Sequence, residues 1–439
     1  MVEPEPSNCK SRPRFAAIIR NRATRRRRIC EEGPQEVPDL IRPPLRLTIL
    51  SSPGATATGR ARELERILDS TASGIGFGED TSPPPGGQPL GEKLELKVFS
   101  SVPPGDAETW LDATLHSLVI VLVDSQLFQD PGIIDWLRRC ARHAFRSADR
   151  HSLIAVYFGE NEQKQWSQVD DSVGEFQTLS WMNLDSEAAG RADQLALRVL
   201  HGMIKVLATT VHNPDWRLRL FLSHAKLDGF YLAQSLRNFL DQQDWLETFY
   251  DARDINPGTP WKRELRNAVG KSLLLALRTD IYDQRLWCRQ EFRYAEAFGV
   301  PRVVVDARSS LVYPASDLAL DGAPTVRIPD GNLARVLFAA LQTALRSLLF
   351  QRRIRELQDI GRLVVGRDVK ILSVAPSIET LAGACRDLAE SPDPTPPTRR
   401  LIVYPDPPLT DGMSAAGEAL ASQVGARLIT PGQLASEGP

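Results

Sequence analysis

The sequence predicts an α/β protein built on mainly parallel sheets, and three observations support this. Short apolar runs such as Leu118 to Val123 and Ser272 to Leu277 alternate with amphipathic stretches of helical spacing. These runs are continuous and not alternating, which suits strands covered on both faces. At 439 residues the chain is also too long for one ordinary core, so two or three units are expected.

The first residues form a basic arm, Lys10, Arg12, Arg14, Arg20, Arg22 and the run Arg25 to Arg28. It reads as a solvated, disordered leader over 1–43; contact with nucleic acid or a transit machinery is the alternative. A first α/β unit is then expected over 44–212. Leu45 to Leu50 is a strand and Ala61 to Leu68 an amphipathic stretch, followed by a Gly/Pro-rich loop from Thr71 to Gly91. Leu94 to Phe99 is a strand, Ala107 to Leu115 a short helix and Leu118 to Val123 a buried strand. Ile133 to Phe145 reads as a helix, Leu153 to Phe158 as a strand and Ala192 to Leu207 as a helix.

A second series fills 215–350. Its strands are Leu218 to Ser223, Glu247 to Tyr250, Ser272 to Leu277, Val300 to Val305 and Thr325 to Ile328. Its helices are Leu227 to Leu240, Pro260 to Val269, Arg285 to Phe298 and Leu333 to Leu349. The two series resemble each other around LVIVLVDSQLF and SLLLALRTDIY, and a short gap aligns Trp136 with Trp287 and Cys140 with Glu291. An internal duplication is the simplest account. A third, smaller unit over 366–432 reads β-α-β-α-β. Its YPDPPLTDG segment either binds a nucleotide or turns the chain.

The totals exclude several classes. Net charge is −2, which gives no overall pull toward nucleic acid or acidic membranes. No apolar run approaches the roughly 20 residues needed to span a bilayer. Five scattered cysteines without a CxxC pair give neither a disulfide framework nor a zinc site, so no metal is expected and a cytoplasmic location fits. Gly270-Lys271-Ser272 resembles the end of a phosphate-binding loop but lacks the earlier glycine and the preceding strand.

Three blocks carry more specific information: LFLSHAKLDG, FYDARDINPGTPWKRELRNAV and YDQRLWCRQEFRYAEA. In order and spacing they resemble bacterial Toll/interleukin-1 receptor (TIR) domains across roughly 130 residues. The resemblance implies a flavodoxin-like parallel sheet. It is flanked here by a degenerate TIR-like or Rossmann-like N-terminal domain and a small α/β C-terminal unit. It further implies cleavage of NAD⁺ as substrate, with no cofactor, by Glu291, and a nucleotide site lined by Ser223, His224, Lys226, Phe249 and Trp287. Self-association through the loop Asp251 to Gly258, oligomerisation-activated anti-phage immunity and other immune proteins as partners come with it.

The residues suit that chemistry independently. Trp287 and Glu291 are four apart, so they share one face of a helix. Sheets of this class bind ligands at the carboxyl ends of their strands, where Ser223, His224 and Lys226 leave the first strand. Nicotinamide departs as a neutral molecule, so a single carboxylate beside an oxocarbenium-like ribose is sufficient. A non-enzymatic TIR scaffold, a nucleotide-sensing regulator and a ribosyl-transferring enzyme are the competing readings. In the first unit Cys140 is expected to be buried and inert.

Overall fold

The computed structural model describes residues 42–72, 95–184, 190–208, 218–243, 245–249, 269, 272–309, 320, 323–328, 331–390, 400–406, 409 and 411–436. The basic leader up to residue 41, most of the Thr71 to Gly91 loop, the Asp251 to Gly258 loop and nearly all of the expected helix Pro260 to Val269 lie outside them.

The first sheet comprises β1 (Arg46–Ser51), β2 (Glu95–Phe99), β3 (Ser117–Val123), β4 (His151–Tyr157) and β5 (Gln177–Ser180). Its helices are α1 (Ala55–Ala72), α2 (Ala107–Asp112), α3 (Pro131–Arg146), α4 (Glu160–Trp166), α5 (Asp171–Gly174) and α6 (Arg191–Ala208). The second series comprises β6 (Leu218–His224), α7 (Phe230–Asp241), β7 (Leu246–Phe249), β8 (Leu273–Arg278) and α8 (Leu286–Ala297). It continues through β9 (Arg302–Asp306), β10 (Thr325–Arg327) and α9 (Leu333–Asp359). The first sheet runs β2-β1-β3-β4-β5 and the second β7-β6-β8-β9-β10, with every pair parallel. Numbered within each sheet, both orders are 2-1-3-4-5, the flavodoxin-like arrangement. A third parallel sheet, β11 (Val369–Ile371), β12 (Arg400–Val403) and β13 (Ala426–Ile429), carries α10 (Ile378–Ala389), α11 (Asp411–Ser422) and α12 (Pro431–Ser436).

Local chemistry explains the helix starts. Asp130 caps α3 by accepting from the Gly132 and Ile133 amides at 2.9 and 3.1 Å, with Pro131 in the first turn. Ser377 and Thr380 form a reciprocal capping box on α10. The second-series helix expected from Leu227 begins only at Phe230, because Asp228 and Gly229 turn the chain first. A Cβ on Gly229 would lie 2.9 Å from the Ala225 carbonyl oxygen, so only glycine fits that turn.

The two larger sheets share one core. Leu47, Ile49 and Ile120 from the first and Leu220, Leu222 and Leu275 from the second join one apolar cluster through α1, α6, α7 and α9. Each buried Leu or Ile in such a layer contributes about 1.5–3 kcal/mol. The opposite faces pack on α3 in the first sheet and on α8 in the second.

α9 runs ten residues past its expected end at Leu349. Its charged tail is tied down: Arg352 Nε donates to the Leu207 carbonyl at 2.9 Å, Arg353 donates to the Arg42 carbonyl at 3.0 Å, and Leu357 is fully buried. By length and composition this helix could cross a bilayer, contrary to the expectation that no such run exists. Half of its apolar window is buried inside the protein, as for a core helix.

Candidate functional site

Strand alternation sorts the end of β6. Leu220 and Leu222 face the shared core, whereas Phe221 packs with Tyr282, Cys288 and Phe292 on the α8 side. Ser223 follows on that same side, at the carboxyl edge. Its hydroxyl donates to Glu291 Oε2 at 2.5 Å and lies 2.7 Å from the Tyr282 hydroxyl. A serine has one proton to give; since it goes to the carboxylate, Tyr282 is the donor to Ser223. The result is a directed chain, Tyr282 to Ser223 to Glu291. Burial pushes the Tyr282 phenol well above its usual range, and the nearby Cys288 and Glu291 add to this. Burial, then the Glu291 charge, raises the Cys288 thiol to about 12. Both groups therefore stay protonated beside the carboxylate at neutral pH.

The remaining residues singled out from sequence distribute as follows. Trp287, four positions before Glu291 on α8, is 40% exposed. His224 is buried at the last position of β6 and alternates to the face opposite Ser223. Lys226 is exposed in the loop that follows. Phe249 ends β7, the edge strand beside β6; its side chain lies outside the described residues. Ser223 and Glu291 are thus joined directly, Trp287 shares the Glu291 helix, and His224 and Lys226 flank Ser223 along the chain.

Sequence reasoning missed two groups. Tyr282 sits in a polar stretch where an aromatic residue carries no periodic signal. Asp228 accepts from Thr279 Oγ1 at 2.7 Å and from the Ile281 amide at 3.1 Å, binding the β6–α7 loop to the β8–α8 loop. The S-x-x-x-x-D spacing from Ser223 offered no signal for that clamp.

Residues 220–313 match the family model for the TIR domain. The chain carries a TIR domain. No curated protein matches the chain. Among solved structures, PH0766 from Pyrococcus horikoshii OT3 aligns at 8% identity over 73% of this chain and 66% of that one, with a TM-score of 0.29. The chain thus spans just under two thirds of that protein. Tagatose-6-phosphate ketose/aldose isomerase from Escherichia coli aligns at 11% identity over 69% of this chain and 81% of that one, with a TM-score of 0.18. At such scores neither likeness bears on fold or function.

From β3 through α3 the first unit runs in step with the TIR domain without any gap. Val123 and Arg278 end β3 and β8, Leu127 and Tyr282 open matching 3-10 turns, and Pro131 and Leu286 open α3 and α8. The strand registers agree, since Leu50 opposes Val121 as Ser223 opposes Ala276. This corrects the gapped alignment. The residue in the place of Glu291 is Trp136, and Cys140 matches Ala295. The gap arose from forcing two tryptophans together that occupy different faces of their helices. Trp136 is fully buried, whereas Trp287 is exposed. Leu50, Leu127 and Trp136, all fully buried, replace the Ser223, Tyr282 and Glu291 of the TIR domain. Cys140 is buried as expected, with its thiol pushed up to about 12 by burial.

Proposed function

We propose that the TIR domain cleaves NAD⁺ at the nicotinamide–ribose bond with Glu291 as the catalytic carboxylate. The observation that supports this best is the Glu291 carboxylate held by Ser223 at the carboxyl edge of a flavodoxin-like sheet, with an exposed indole one turn earlier on α8. Loss of nicotinamide leaves a positively charged ribose. A fixed carboxylate stabilises that charge without needing to deliver a proton. Ser223 holds the carboxylate in one pose, so little reorganisation is required when the charge develops. Trp287 supplies an aromatic surface for a ring of the dinucleotide. Ser223, His224, Lys226 and Phe249 belong to the same edge of the sheet and complete the proposed nucleotide site. The apolar Leu50, Leu127 and Trp136 make the first unit a silent partner.

The wider reading is a bacterial, cytoplasmic immune effector of the anti-phage type. It depletes NAD⁺ once it self-associates through the Asp251 to Gly258 loop or is recruited by other immune proteins. Chromatography of products from wild type and Glu291→Ala, each free and under forced clustering, tests it. Clustered wild type should yield nicotinamide with ADP-ribose or its cyclic form, and the variant should not. Equal nicotinamide yields reject the assignment.

A scaffold role is the second reading, and one observation favours it. Leu227, Tyr231, Leu286 and Trp287 are 78%, 81%, 57% and 40% exposed around the same edge, an apolar rim suited to another protein surface. A scaffold would keep its partners when Glu291 is changed and would leave NAD⁺ intact.

A further inference from the structure

Away from the TIR domain, Asp112, His143 and His151 come together at the amino edge of the first sheet. They derive from three elements: the end of α2, the last turn of α3 and the first residue of β4. His143 Nε2 lies 3.1 Å from Asp112 Oδ2, and His151 Nε2 lies 3.3 Å from Asp112 Oδ1. The two imidazole centroids are 5.5 Å apart, and the three ligand atoms fall within 4.8 Å of one another. Neighbouring ligand atoms on a tetrahedral zinc ion, with bonds of about 2.0–2.1 Å, are separated by about 3.3 Å. Each imidazole nitrogen already stands at about that distance from one Asp112 oxygen, His143 from Oδ2 and His151 from Oδ1.

We propose that Asp112, His143 and His151 form an open three-ligand site for a zinc-class divalent ion, which the scattered cysteines gave no reason to expect. Two imidazole nitrogens with one carboxylate oxygen select zinc, cobalt or nickel over magnesium or calcium, which take oxygen ligands. His151 is fully buried, so its ring is held in place for a ligand role by the surrounding packing. The Asp112 side chain is 41% exposed, which leaves the fourth position open to water. Arg150 is the competing charge. Its Nη1 lies 3.3 Å from Asp112 Oδ1, while its Nε donates to the Leu115 carbonyl at 3.2 Å. Being 37% exposed, it can turn toward solvent when a cation arrives.

The fold does not demand this cluster. The helix correspondence matches His143 to Phe298, and the registers of β4 and β9 match His151 to Val300, one exposed and one half-buried. The polar trio is therefore particular to the first unit, on the opposite sheet edge from the one that carries Glu291 in the second.

The test uses the full-length chain stripped with chelator and titrated with Co²⁺ while visible absorption is followed. Zn²⁺ then competes the signal away. Wild type should bind one equivalent with the absorption bands of a four- or five-coordinate N/O site. His143→Ala, at a partly exposed position, and Asp112→Asn should each weaken binding at least tenfold while circular dichroism stays unchanged. Arg150→Gln should tighten binding several-fold, an outcome that a purely structural ion-pair cluster does not produce. Absence of saturable one-to-one binding overturns the site, as do thiolate-to-cobalt absorption bands. Unchanged affinity in both His143→Ala and Asp112→Asn would also overturn it.

Discussion

At the residue scale, three side chains separate the two sheets of like order. Ser223, Tyr282 and Glu291 form a hydrogen-bonded chain at the edge of the second sheet, and Leu50, Leu127 and Trp136 fill the same positions with apolar bulk in the first. Two consequences can be measured. Tyr282→Phe removes the donor to Ser223 while keeping the ring. It should lower the nicotinamide release rate several-fold with little change in melting temperature, whereas Ser223→Ala, which frees the carboxylate, should cost more. Trp136→Glu copies the carboxylate into the first unit, but there it meets no polar partner. Losing the packed indole and burying a charge should destabilise the protein by about 3–5 kcal/mol or more in a denaturant melt, without a second active site. That Glu291 and Trp287 share one helix was legible from sequence, because they lie four apart within a distinctive block. Tyr282 was not, because hydrogen bonding across from β6 leaves no trace in local spacing. The Trp136–Trp287 pairing misled for a physical reason. Tryptophan at a buried helix position and tryptophan at an exposed one look alike in a string of letters.

At the element scale, the strands covered on both faces and the edge strands β2, β7 and β10 were legible, whereas the edge strand β5 was not. β3 and β8 are continuous apolar runs, and every residue in both is buried. β5 (Gln177–Ser180) is polar and half exposed, so no pattern announced it. The charged end of α9 resembled a loop for the same reason, since its anchors are arginine bonds to distant carbonyls. Loops depend on single contacts. Asp228→Ala should loosen the β8–α8 loop against β6, costing about 1 kcal/mol of stability and raising the NAD⁺ KM more than it lowers kcat. Near the start of β3, His116 is buried with its Nδ1 3.2 Å from the Pro44 carbonyl. Burial, then Arg352, lowers its pKa from 6.5 to about 4. The folded protein thus binds this proton less readily than the unfolded chain. The stabilisation is fully present above pH 6.5 and is lost as pH falls toward 4, by about 3 kcal/mol at the limit. Metal-free melts at pH 7.5, 6 and 5 should show the decline, and His116→Gln should lessen it, leaving the part due to His151, whose pKa burial also lowers to about 4.

At the scale of the whole molecule, two flavodoxin-like sheets of identical order are joined by one apolar core through α1, α6, α7 and α9. The face of the TIR sheet packed on α7 and α9 is therefore committed to the first unit. The apolar rim formed by Leu227, Tyr231, Leu286 and Trp287 at its carboxyl edge remains exposed. Fold class was readable from the alternation of apolar runs and helices. The way the halves pack was not, because helices that bury one face against another unit show the same periodicity as helices on a lone domain. The most direct measurement is the rate of nicotinamide release from NAD⁺ by the full-length chain under forced clustering, wild type beside Glu291→Gln. A fall of about a hundredfold or more in the variant, with melting temperature preserved, is the predicted result. Equal rates in the two proteins would contradict the assignment of Glu291 as the catalytic group.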